Sequence, residues 1–224
     1  MCHVAIPRNI CLMNSKLILV VDDDPFTLSM VTGVVATSGF NAHGESSATK
    51  AVLFAKEFNP VSALLDLDLG TGPTGIDLAI ALRKINPQIG IVLLTSYEDP
   101  RLLGPKLPQI PIGTKYLVKQ HLSAQVELVN TLEDSIIDPL GKVSYEDAHL
   151  GEFSDVQIET LRLVAKGLSN SEIAKLRFVT EKTVEQTITR LARQLNIPQQ
   201  AATNSRVQLA RTYFNRTGKT LDSE

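Results

Sequence analysis

From Lys16 onward the chain alternates short, continuous apolar runs with stretches whose apolar residues recur every three to four positions. The runs LILVV (17–21), 40–44, VSALL (61–65), IVLLT (91–95) and YLVK (116–119) have the length and the flanking turn residues of strands. Between them the helical period takes over. Leu28, Val31, Val34 and Val35 share one face of a helix that opens at Asp24-Pro25 and ends at Gly39. A second helix spans 48–58 and stops at Asn59-Pro60, and a third, IDLAIALRKI (76–85), stops at Asn86-Pro87. Ser123 caps a further helix carrying Val126, Val129 and Leu132. Strands alternating with helices predict right-handed βαβ units, and so a doubly wound α/β fold whose five-stranded parallel sheet is covered on both faces.

Beyond residue 135 the strand signal disappears. Residues 136–152 mix Pro, Gly and acidic residues and read as a linker. Ser154 then caps a helix with Val156, Ile158, Leu161, Leu163 and Val164 inward and Gly167 at its end. Ser169 or Asn170 caps a short helix over 172–176, and after a tight turn Thr180 caps a longer one bearing Val184, Ile188, Leu191 and Leu195. A last helix over 205–214 completes an all-α, four-helix unit. Two short helices joined by a tight turn are the helix-turn-helix arrangement, whose second helix enters the major groove of DNA. The expected division is therefore an extension over 1–14, an α/β domain over 15–135, the linker 136–152, the helical domain 153–217 and a tail 218–224.

Composition narrows the function classes. A length of 224 residues suits one or two domains, and 43% hydrophobic with 21% charged residues is ordinary for a globular protein. No apolar run reaches 18 residues, and Pro7, Arg8 and Asn9 interrupt the opening stretch where a signal peptide needs an apolar core. No membrane role is expected. Cys2 and Cys11 both lie in that stretch, and no Cys or His cluster has zinc spacing, so a reducing, cytoplasmic setting is expected. Met13 would be a natural start, so residues 1–12 read either as an extension or as a misplaced start. The net charge of −2 conceals an asymmetry: 10 Lys/Arg against 13 Asp/Glu over 1–135, but 11 against 5 over 153–219. The basic second half points to a polyanionic partner.

Parallel sheets place their chemistry beyond the C-terminal ends of the strands. The residues found there are Asp22, Asp23 and Asp24, then Asp66, then Thr95 and Ser96, then Lys119. Clustered carboxylates repel, and a hard divalent cation such as Mg2+ is the natural compensation. Asp66 ends its strand directly, whereas Asp68 lies in the following loop, where its carbonyl is as serviceable as its side chain. Asp24 before Pro25 reads as a helix-start residue. An aspartate beside magnesium, a lysine and a hydroxyl is suited to accept a phosphoryl group, with Lys119 supplying the point charge and Thr95 a hydrogen bond to the product.

The segments LILVVDDDP, LLDLDLG, IVLLTS and KYLVK resemble the receiver domain of bacterial two-component response regulators, a flavodoxin-like fold. The resemblance implies an acidic pair at Asp22 and Asp23 and phosphorylation of Asp66 by a sensor histidine kinase. It implies Mg2+ held by Asp23, Asp66 and Asp68 (through its carbonyl), a switch at Thr95 and Tyr116, and a phosphoryl-stabilising Lys119. Tyr116 taken alone reads more readily as core packing than as a switch, because half-buried strands favour aromatics. The chain departs from the family pattern at Gly70 and Gln120, where prolines are usual. It also carries three prolines in RLLGPKLPQIP (101–111), where a fourth helix belongs. That helix is expected to be short or broken.

In the second half GLSNSEIA, TEKTVEQTI and NSRVQLARTY resemble the LuxR/FixJ/NarL-type DNA-binding domain. Lys182, Thr183, Gln186, Thr187 and Arg190 are the expected groove-facing residues, with Glu185 at a position often held by lysine in the family. The expected function is transcriptional regulation: phosphorylation of Asp66 controls dimerisation and binding to promoter half-sites, with RNA polymerase as a further partner. One alternative keeps the DNA-binding half but makes the receiver a phosphorylation-independent dimerisation or ligand-sensing scaffold, motivated by the proline-rich stretch. A remote alternative is a haloacid-dehalogenase-type phosphatase with Asp66 as nucleophile and Asp68 as general acid/base. In that family, however, the second acidic pair follows the lysine, whereas VVDDD precedes everything here.

Overall fold

A computed structural model describes residues 16–104, 107–120, 125–142, 152–197 and 204–218. The cysteines, His3, His121, His149, the Ser123 cap, the extension 1–14 and all of the tail after Gly218 lie outside the described residues. The chain divides into two compact units: Met1–Thr95 with Pro108–Ala148, and Ser96–Leu107 with His149–Glu224.

The first unit is a five-stranded parallel sheet in the order β2-β1-β3-β4-β5, with β1 (Leu17–Val21), β2 (Asn41–Glu45), β3 (Ser62–Leu65), β4 (Gly90–Thr95) and β5 (Lys115–Val118). This is the flavodoxin-like order that the resemblance to receiver domains implies. Helix α1 (Pro25–Thr37) and helix α4 (Gln125–Ile137) pack on one face. There Val31, Val35, Leu128 and Leu132 meet Ile18, Val20, Leu64, Val92 and Leu94. Alternate strand residues such as Leu19, Val21, Leu65 and Leu93 are equally buried and, by the two-residue period of a strand, face the opposite layer of α2 (Ala48–Phe58) and α3 (Gly75–Ile85). Both faces being covered explains why the strands read as unbroken apolar runs. Val126 departs from the expected pattern: it is exposed, and Leu128 takes the inward position instead.

The strand ends follow from pairing. Val21 lies opposite Leu65, Leu65 opposite Leu93, and Thr95 opposite Val118. The next residues, Asp22, Asp66 and Lys119, therefore emerge together at one edge. Gly75, the first residue of α3, approaches that edge closely: a Cβ there would lie 2.0 Å from the Asp66 carbonyl oxygen.

Among the described residues the second unit contains four α-helices: α5 (Asp155–Ala165), α6 (Asn170–Arg177), α7 (Glu181–Gln194) and α8 (Ser205–Thr217). Ser154 and Ser169 each close a capping box, with Gln157 and Glu172, and Thr180 caps α7. Val156 is exposed, so the inward face of α5 is narrower than its sequence suggests. The same unit includes Ser96–Leu107, where the described residues form a 3-10 turn, Pro100–Leu102, and no α-helix. Proline lacks a backbone donor and fits the first turn of a helix, where Pro100 stands, better than its interior. Here Arg101 donates to both carboxylate oxygens of Asp99, to Asp155 at 2.7 Å and to the Phe153 carbonyl at 3.0 Å. Arg216 pairs with Glu98 and Glu152.

Candidate functional site

At the sheet edge Asp22 is almost fully buried, and its Oδ2 accepts from the Lys119 ammonium at 2.8 Å. Its Oδ1 accepts from the Asp24 backbone N–H. Asp66 holds its position through its own N–H, which donates to the Val21 carbonyl at 2.8 Å. Its Oδ1 accepts from the Leu67 N–H at 2.8 Å, and its Oδ2 lies 3.5 Å from Lys119 Nζ. The backbone N–H of Lys119 in turn donates to the Thr95 carbonyl at 2.7 Å, tying the ends of β4 and β5 together. Thr95 is fully buried at this edge, and Tyr116 is buried within β5.

Burial pushes the Asp66 carboxyl up to about 7; Lys119 opposes that rise, and the Asp22 and Asp23 charges add to it. Asp23 is raised as well, by burial first and then by Asp22. Asp24 is lowered instead, because it caps α1 and accepts from the Thr27 hydroxyl and N–H. It therefore acts as a helix-start residue. Oxygens of Asp22, Asp23 and Asp66 lie within 4.8 Å of one another. Three carboxylates that close, two of them resisting ionisation, with a single ammonium between them, fit a divalent cation. Asp68 is half-buried, and its Oδ1 accepts from the Gly70 N–H at 3.3 Å. Gly70 has φ +75, a backbone state closed to proline, and a Cβ there would sit 3.0 Å from Asp23 Oδ2. The departure at this position thus has a conformational reason. Gly70 and Gly75 shape the pocket without carrying chemistry, and their spacing in sequence gives no hint of it.

On α7 the structure turns Lys182, Thr183, Gln186 and Arg190 outward. Thr183 is partly committed to the helix start, its hydroxyl lying 2.9 Å from that of Thr180. Thr187 is a correction. It is 8% exposed, and its hydroxyl donates to the Thr183 carbonyl. One residue beyond Gln186 is a further 100° round the helix, which carries Thr187 to the side of buried Val184 and Leu191. Glu185 and Arg193 are exposed on the same helix and were missing from the expected set. The recurrence of polar residues at 182, 186, 189 and 193 is the signal that would have found Arg193. At the turn before α7, Phe178 adopts φ 54 and is 96% exposed.

Comparison with known proteins matches residues 18–109 to the response regulator receiver domain and residues 152–212 to the bacterial regulatory proteins of the luxR family. The nitrate/nitrite response regulator homolog of Haemophilus influenzae is 30% identical over 203 residues, covering 85% of this chain and 95% of the relative. The response regulator VraR of Staphylococcus aureus is 26% identical over 198 residues, covering 83% and 92%. Among solved structures, an RcsB–DNA complex aligns with a TM-score of 0.56 at 21% identity, covering 90% of this chain and 98% of that one. RcsB of Salmonella typhimurium aligns at 0.51 and 22% identity over 92% and 100%.

Proposed function

This chain belongs to the DNA-binding response regulators, and from that membership we propose that Asp66 is its phosphoryl acceptor and α7 its DNA-reading helix. The observation that carries the reading is the position of Lys119 Nζ, 2.8 Å from Asp22 and 3.5 Å from Asp66, at an edge where three carboxylates converge. The phosphatase reading gives way to the family membership and to the acidic residues at the end of β1.

In the proposed reaction an Asp66 oxygen attacks the phosphorus of a phosphohistidine on a sensor kinase. The P–O bond forms as the P–N bond breaks, and the departing imidazole keeps the electron pair. A Mg2+ ion held by Asp22, Asp23, Asp66 and the Asp68 carbonyl would supply charge neutralisation for the phosphoryl oxygens. Lys119 contributes the second positive charge, and it opposes the burial that otherwise keeps Asp66 protonated near neutral pH. The product is stoichiometric with the protein, so the chain acts as a regulator and not as a turnover enzyme. The dianionic phosphoryl group at the end of β3 draws on the Thr95 hydroxyl, and Tyr116 follows in the switch.

Lys182, Gln186 and Arg190 face the major groove, and a dimer on two promoter half-sites supplies the area that one small domain lacks. Among the described residues no helix is long and apolar enough to cross a membrane, and a cytoplasmic setting suits a kinase donor and a DNA target. RNA polymerase is a further partner in this reading. Incubation with acetyl phosphate and magnesium should add one hydroxylamine-labile phosphoryl group to the protein and none to Asp66→Asn. Labelling of that variant at the wild-type level would refute the assignment. The scaffold reading draws on the grouping of Ser96–Leu107 with the helical unit. Beryllofluoride that leaves both dimer fraction and DNA affinity unchanged would favour it.

A further inference from the structure

The second unit contains a cavity of about 390 Å3 between Ser96–Leu107 and α5. Arg162 lines it. This side chain belongs to a residue only 8% exposed, and among the described residues it has neither a hydrogen bond nor an ion pair. A guanidinium stays charged at any physiological pH, and this one, although its residue is largely buried, meets only the solvent that reaches it through the cavity. The two carboxylates on the cavity wall do not pair with it. Asp155 is bound to Arg101 at 2.7 Å, and Glu159 is bound to Arg177 at 3.1 Å. Leu107, Val156 and Ile158 add apolar surface beside the paired Arg101.

We propose that this cavity binds a small organic monoanion, a carboxylate carried on an apolar body, with the carboxylate on Arg162. The planar fork of arginine matches a carboxylate in two parallel hydrogen bonds. One guanidinium without a direct ion pair, in a cluster whose other charges are already matched, selects a monoanion over phosphate, whose second charge would find no partner. The volume lies within the range of small-molecule sites. None of the residues that line it belongs to the acidic edge.

Hexanoate is a suitable probe for the full-length chain. The Nε–H resonance of Arg162, identified by its loss in Arg162→Gln, should shift saturably, with a Kd of about 1 mM or tighter for a ligand of this size. Hexanamide, equal in shape but uncharged, and inorganic phosphate should each bind at least roughly tenfold more weakly, a factor fitting the loss of a charge-assisted hydrogen bond. By calorimetry, Arg162→Gln should lose hexanoate affinity by a similar factor. Val156→Trp, which fills the cavity from a half-exposed position and leaves the arginine in place, should lose it too. Far-UV circular dichroism checks both variants for native structure. Equal binding of hexanamide and hexanoate overturns the proposal, as does hexanoate affinity unchanged in either folded variant, or no saturable shift up to about 10 mM.

Discussion

Replacing Asp66 by asparagine should stabilise the metal-free protein, and the effect should depend on pH. The Asp66 side chain is 13% exposed, and its carboxyl is raised from 3.8 to about 7. Between those two values the native chain binds more protons at this site than the unfolded chain. Stability is therefore fully present below the unfolded value and is lost as pH rises through the native one. A shift of about 3 units corresponds to about 4 kcal/mol, and water entry and relaxation around an ionised Asp66 reduce it to roughly 2–4 kcal/mol. Asparagine has no charge to bury and can still accept from the Leu67 N–H. Urea unfolding followed by circular dichroism should place the sheet-containing unit of Asp66→Asn about 1–2 M above wild type at pH 8 in chelator, using an m-value of about 2 kcal/mol/M. At pH 5 the two midpoints should draw together, by protonation of the wild-type carboxyl. Millimolar magnesium at pH 8 should raise wild type toward the variant by binding the native state. Midpoints that differ equally at pH 5 and pH 8, or that coincide at both, would refute the reasoning.

Three further outcomes are expected. Gly75→Ala puts a carbon 2.0 Å from the Asp66 carbonyl, so the end of β3 or the start of α3 must shift. The loss of stability, about 1–3 kcal/mol by urea unfolding, should be accompanied by a fall in acyl-phosphate yield. Lys182→Ala should reduce the log–log salt slope of DNA binding by about one, whereas Glu185→Lys should steepen it by about one if that face meets phosphates, as titrations at several salt concentrations will show. Arg101→Gln strips Asp99, itself buried, of its charged partner and should lower the stability of the helical unit by about 3 kcal/mol, readable as a drop in its thermal midpoint.

The acidic edge was legible in the sequence because it depends on a local rule. An apolar run that ends in Asp22, Asp66 or Lys119 fixes where each side chain emerges, and a parallel sheet brings those ends together. The capped starts at Ser154, Ser169 and Thr180 were legible for the same local reason. Positions on the margin of a helix face were less so. Thr187, Val156 and Val126 stand where a period of 3.6 leaves the choice between inside and outside to tertiary packing. The close approach of Gly75 to Asp66 and the partners of Arg101 are contacts between distant segments, and no window of sequence contains both sides.

The grouping of Ser96–Leu107 with the helical unit governs how this protein can be taken apart or recombined. A gene cut anywhere within 143–151 would yield a C-terminal fragment without Asp99, Arg101 and Leu102, leaving α5 to α8 short of a piece of their own packing. Swapping effector modules at that junction would separate Ser96–Leu107 from the helices it is grouped with. A working chimera of this chain must carry the stretch after β4 together with the helices it completes.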